Sequence, residues 1–120
     1  MGQGLLTITN VVNETPGPPN EWRLTVTNSA GVTVGDHLIG QLAGGDDAVW
    51  LITQVPSGTE VIVQDSLTEG NGGVEFGQPD TGSVGYSTPT PNFSLTTGPE
   101  GAPGWRAVCE RNWAVIDAAL

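Results

Sequence analysis

The chain offers few side chains that could do covalent or acid-base chemistry: one histidine, placed directly after an acid in Asp36-His37, and one cysteine, Cys109. Acid-base catalysis by such a pair needs a hydrogen bond between the two groups, yet adjacent residues of a strand point to opposite faces of a sheet. Asp36 and His37 are therefore not expected to form a dyad, and His37 is expected at the surface. Cys109 cannot form a disulfide within the chain. It has no neighbouring charge to lower its pKa and reads as a small buried hydrophobe. Gly44-Gly45-Asp46-Asp47 places two carboxylates after a flexible turn, a start toward a site for a hard cation. No third acid follows at a suitable spacing, so a solvated turn is expected. A nucleophile elbow, a P-loop, a dinucleotide-binding glycine pattern and a Cys/His cluster are all missing from the sequence. The chain is expected to be no enzyme, with no catalytic, metal or cofactor-binding residues and no cofactor.

Charge narrows the partners. Three arginines and no lysine stand against thirteen carboxylates, a formal net charge of −10. Nucleic acid and anionic lipid are bound largely through Lys and Arg, so neither is an expected partner. No apolar run approaches the length of about 20 residues that spans a bilayer, and the N-terminus lacks the features of an export signal. A soluble protein made in a cytoplasm is expected. The segment 101–120 is an exception to the acidity, because Arg106 and Arg111 balance Glu110 and Asp117. The body is repulsive, while the tail is neutral and apolar enough to dock.

The tail has a helical pattern. Over 105–120, at about 100° per residue, Trp105, Val108, Cys109, Trp113, Val115, Ile116, Ala119 and Leu120 share one face, with Arg106, Ala107, Glu110, Arg111, Ala114, Asp117 and Ala118 on the other. A single helix of this length is marginal in water, so its tryptophans require burial against this chain or a neighbouring one. Asn112 lies near the centre of the apolar face. Its amide is costly there unless hydrogen-bonded, to the preceding arm, to a backbone carbonyl, or to its own copy in another subunit, where it would set register.

The residues ahead of this tail read as strands. Runs at 5–12, 21–27 and 32–39, the last with a bend at Gly35-Asp36, precede the arms 48–55 and 59–67 of a hairpin around Pro56-Ser57-Gly58. Short strands follow at 74–76 and 83–86. Gly and Pro number 18 and 9 and punctuate these runs, which suits short strands joined by tight turns. In 87–95 the residues before each proline are pushed out of the helical region, making an extended arm. The expected fold is mainly β: a small antiparallel barrel or sandwich of SH3- or OB-like type over 1–86, followed over 87–120 by an extended arm and one C-terminal amphipathic helix.

Pro91-Asn92-Phe93-Ser94-Leu95, Gly98-Pro99-Glu100-Gly101, Gly104-Trp105 and the helix end Asn112-Trp113-Ala114-Val115-Ile116-Asp117-Ala118-Ala119-Leu120 together resemble a segment of tailed-bacteriophage virion proteins, especially tail-fibre and related appendage proteins. In that family an extended stretch of the form N-F-x-L, P-x-G, G-W leads into a helix ending N-W-x-x-I-D-x-A-L. The likeness covers about thirty residues with gaps. The stretch 32–67 is also similar to small β-barrel modules of such virions, a pattern shared with unrelated barrels. The resemblance implies attachment of one virion component to another. In fibres the segment precedes a long shaft, whereas here it follows the strands, which points to a short tail, baseplate or fibre-attachment adaptor, or a capsid decoration subunit.

Taken together, these readings lead to a non-enzymatic virion subunit, assembled in the host cytoplasm, acting in many copies as a homo-oligomer and binding other virion proteins. Phe93, Trp105, Trp113 and Ile116 are the expected anchors, Asn112 fixes orientation, and Leu95, Val108 and Leu120 complete the interface. The alternative is a carbohydrate-binding or adhesion module. It would use tryptophan faces among Trp22, Trp50, Trp105 and Trp113 or the loops at 13–20, 44–47 and 69–73.

Overall fold

Alternating apolar side chains build the wall of the protein. The computed structural model describes residues 3–16, 20–66, 77–92, 95–98 and 103–119. In β1 (Gln3–Thr15) Leu6 and Ile8 turn inward while Leu5 faces water, and in β2 (Glu21–Val26) Leu24 and Val26 do the same work. Chain order continues with β3 (His37–Gln41), β4 (Asp47–Ser57), β5 (Glu60–Ser66) and β6 (Gly82–Ser87). The strands close in the order β1-β2-β5-β4-β3-β6, every neighbour antiparallel, so the sheet keeps no open edge. This is the small antiparallel barrel with one C-terminal helix that the strand pattern predicts.

The interior holds Leu6, Ile8, Leu24, Val26, Leu38, Trp50, Ile52, Val61, Val63 and Val84 among others. Trp50 is fully buried, and its indole N–H donates to the Gly77 carbonyl at 3.1 Å, which satisfies the one polar atom it carries inside. Val61 and Val63 point into this core, whereas Ile62 lies on the opposite face of β5 and is also buried.

Two local expectations change. The chain reverses at Gly58-Thr59, where Ser57 pairs with Glu60, rather than at Pro56-Ser57-Gly58. Pro56 instead lies within β4, in the register shift between Gln54 and Ser57, a position where the ladder tolerates a residue without an N–H. The expected strand at 74–76 lies outside the described residues.

Helix α1 (Trp105–Ala119) packs across the outside of β3 and β4. The pairs Leu38–Trp50 and Ile39–Val49 sit side by side in the β3–β4 ladder. Period-two alternation therefore sends Leu38 and Trp50 inward and leaves Ile39 and Val49 outward. Ala107 and Val108 cover those outward residues and form a second, smaller apolar cluster with them. The hydrophobic effect over four side chains, rather than helix propensity, holds the helix in place.

Candidate interaction surface

Gly104 admits the helix to the barrel. Its φ is +87°, and a Cβ built there would stand 2.5 Å from the Gly40 carbonyl oxygen and 2.9 Å from the Gly40 nitrogen. Only glycine meets both conditions. The first turn of the helix carries no acid of its own, and Asp47 at the start of β4 supplies one: its Oδ2 accepts from the Arg106 N–H at 3.2 Å. A carboxylate at this end satisfies an orphan donor and opposes the helix dipole. Asp47 thus has a structural partner where a solvated turn is the sequence expectation. Among the described residues no group of His, Cys, Asp and Glu is placed to hold a metal ion.

The arm is clamped between barrel and helix by a buried polar network centred on Thr96. The Asn112 amide reads both backbone groups of Thr96, accepting from its N–H and donating to its carbonyl, each at 2.7 Å. Arg111 Nη1 donates to Thr96 Oγ1 at 3.1 Å, and the same hydroxyl stands 2.8 Å from His37 Nδ1. Since the guanidinium only donates, the hydroxyl proton is free to point at His37, which requires an unprotonated Nδ1. Burial, and secondly the positive charge of Arg111, push the His37 pKa down to about 4, which keeps the ring neutral. Farther along the arm, Ser87 Oγ donates to the Thr97 carbonyl, and Thr88 Oγ1 donates to Asp36 Oδ1 at 2.8 Å. Asp36 Oδ2 in turn accepts from the Thr33 N–H at 2.9 Å.

Three expectations are corrected here. His37 does not lie at the surface: it is 3% exposed, because its strand face is the one the arm and helix cover. Asp36 and His37 do engage separate partners, as opposite strand faces require. The helix docks through a different stripe from the most apolar one. Ala107 and Arg111, assigned to the polar side, are buried together with Val108. Asn112, Ala114 and Val115 are half-buried, and Cys109 is exposed rather than inside. The reason is steric and chemical: the close Gly104–Gly40 approach selects small residues, and the His37–Thr96 rim selects a donor such as Arg111 over an indole.

The outer face is consequently apolar and open to solvent. Trp105 is 57% exposed, Trp113 68% and Ile116 36%. With Cys109 they span an arc of about 80° on the helix. Of the other expected interface residues, Leu95 is half-buried in the arm, Val108 is buried on Ile39 and Val49, and Asn112 is bonded to Thr96. Phe93 and Leu120 lie outside the described residues. Thr96, which anchors the assembly of arm and helix, has no signature in the sequence: an isolated Thr in a Thr-rich arm reads as surface. Replacing Asn112 with alanine leaves both Thr96 backbone groups unmatched and is expected to cost about 1–3 kcal/mol of helix docking. Faster hydrogen exchange across 105–119, with the strand amides unchanged, is the readout.

The geometry defines a closed antiparallel barrel bearing a fixed helix whose second face is a candidate protein-binding surface. Comparisons with protein-family models, with curated proteins and with solved structures find no match for this chain.

Proposed function

We propose that this protein is a non-enzymatic structural subunit of a tailed-phage particle, joined to neighbouring subunits through the outer face of its C-terminal helix and the arm that leads into it. One observation carries this reading: two indoles and an isoleucine stay in water on a helix that is already docked. A helix held on the barrel by a buried network presents these side chains without the ordering cost that a free helix would incur. Tryptophan is enriched among the residues that dominate interface energetics, and a large exposed apolar patch marks a site of association. The resemblance of 91–120 to virion attachment segments supports the same role, as an adaptor of tail, baseplate or fibre, or as a capsid decoration subunit. The acidic body would keep copies apart until the neutral helix meets its partner.

Trp113 tests the reading because its side chain contributes little to the fold. The Trp113→Ala chain is expected to keep its stability within about 0.5 kcal/mol and to fall at least about tenfold in purified particles, an effect of about 1.4 kcal/mol at the interface. Peptide mass spectrometry of particles assembled with either chain measures this. Wild-type chain missing from the particles, or a variant incorporated as well as wild type, overturns the proposal. A carbohydrate module would instead show glycan binding that Trp113→Ala abolishes, with particle content unchanged.

A further inference from the structure

The apolar stripe and its charged border are complementary to themselves. Trp105, Cys109, Trp113 and Ile116 form the exposed stripe, and Arg106 and Asp117, both exposed, lie along one and the same edge of it. At about 1.5 Å of rise per residue these two opposite charges stand about 16 Å apart along the axis, one near each end of the helix. Glu110 bonds the Arg106 guanidinium at 3.0 Å and holds it on that edge. The barrel packs on the Ala107–Val108–Arg111 side, away from the stripe, and leaves the approach of another helix open.

Resting on the reading that this outer face joins subunits, we propose that its partner is a second copy of the chain, with the two helices antiparallel about a two-fold axis. In an antiparallel pair equivalent edges face each other. Arg106 of each copy then meets Asp117 of the other, forming two identical ion pairs from one edge. That register also interleaves the apolar residues. Trp105, Cys109, Trp113 and Ile116 of one helix alternate in height with Ile116, Trp113, Cys109 and Trp105 of the second. The two Trp113 indoles flank the axis. The opposed dipoles of antiparallel helices favour the same arrangement. A parallel pair loses these contacts, because it brings opposite edges together and matches Arg106 with nothing acidic at its own height. One helix face falls short of the roughly 800 Å² per partner of a stable interface, so the isolated dimer is expected to dissociate at about 100 μM, and the particle supplies the remaining contacts.

Sedimentation equilibrium of the full chain from about 10 μM to 1 mM tests this, at about 150 mM salt where the acidic bodies are screened but contact pairs are not. Wild type is expected to show a monomer–dimer equilibrium. Arg106→Glu and Asp117→Arg are each expected to weaken it about fivefold, since by symmetry each puts like charges together twice. Mixing the two variants is expected to restore association. In the mixed pair the introduced carboxylate of one chain faces the introduced guanidinium of the other, while the second contact keeps its native Asp117 and Arg106. A chain that stays monomeric throughout, or a dimer indifferent to both substitutions, or a mixture no tighter than its components, overturns the antiparallel self-pairing. Loss of the Trp113→Ala chain from particles alongside a monomeric wild type would leave the attachment role standing with a different partner. Indifference in both assays would remove both.

Discussion

In a chain carrying Gly104→Val, helix α1 is expected to leave the barrel while the barrel stays folded. The argument is geometric. A β-branched side chain at φ +87° is strained by about 1–2 kcal/mol, and its Cβ meets backbone atoms of Gly40 that no rotamer can move. The chain relieves both by releasing the helix, so the loss is capped by the docking free energy. Uncovering Ile39, Val49 and Val108 sets that energy at about 3–5 kcal/mol, given about 1.5–3 kcal/mol for each fully buried aliphatic side chain less the entropy regained. The barrel interior contains no residue beyond Tyr86 and retains its closure. Hydrogen exchange should therefore collapse to near-free rates at 105–119 and change little in β1, β2 and β5. Native protection across the helix in Gly104→Val would refute the close-approach argument. Gly104→Ala should produce a milder version of the same result.

The second large effect is a loss of helix docking in mild acid. His37 has its folded pKa lowered from 6.5 to about 4, by burial first and by Arg111 second. A histidine kept neutral by the fold contributes stability that is fully present above its unfolded pKa and declines as pH falls. The decline begins near pH 6.5 and levels off once the buried ring itself protonates, near pH 4. At about 1.4 kcal/mol per pKa unit the drop across this window is about 3 kcal/mol. The imidazole is the only one in the chain, and ordinary carboxylates titrate mostly below about pH 4.5, so the upper part of the window belongs to His37 alone. Arg111 packs against it and repels the charged ring, while Thr96 would lose the acceptor that orients its hydroxyl. Denaturant midpoints measured from about pH 7 to about pH 4.5 should fall steadily for wild type and stay flat for His37→Gln. A wild-type profile equally flat over that interval would show that the ring takes up its proton inside the fold at no cost.

Much of the barrel was legible because strand patterning is local. Leu24 and Val26 alternate with polar neighbours, Val61 and Val63 flank a hairpin, and the bend at Gly35-Asp36 precedes β3, each in a window of a few residues. The helix itself was equally plain. Its orientation was not, since a hydrophobic face reports where apolar residues cluster and says nothing about which stripe a barrel will accept. Val108 lies at the edge of the apolar cluster and docks, whereas Trp105 and Trp113 lie nearer its centre and remain in solvent. His37 was misplaced for a related reason. Its strand face was foreseeable, but whether that face met water depended on an arm and a helix arriving from about 60 residues later in the chain, a separation that local patterning cannot see.

What the amino-acid order determined on its own was a set of strands, a stiffened arm, a terminal helix rich in tryptophan and an acidic surface unsuited to nucleic acid, because each depends on composition or on short-range periodicity. The tertiary structure alone decided that Arg111 goes in and Trp113 stays out. That choice follows from the outer wall of β3 and β4, where Gly40 admits the backbone of Gly104 and the paired Ile39 and Val49 leave room only for small side chains, while Thr96 and His37 offer a hydroxyl to a buried donor. Two apolar faces of unequal strength competed for one docking site, and shape and hydrogen bonding prevailed over the larger hydrophobic area, leaving that area exposed to solvent.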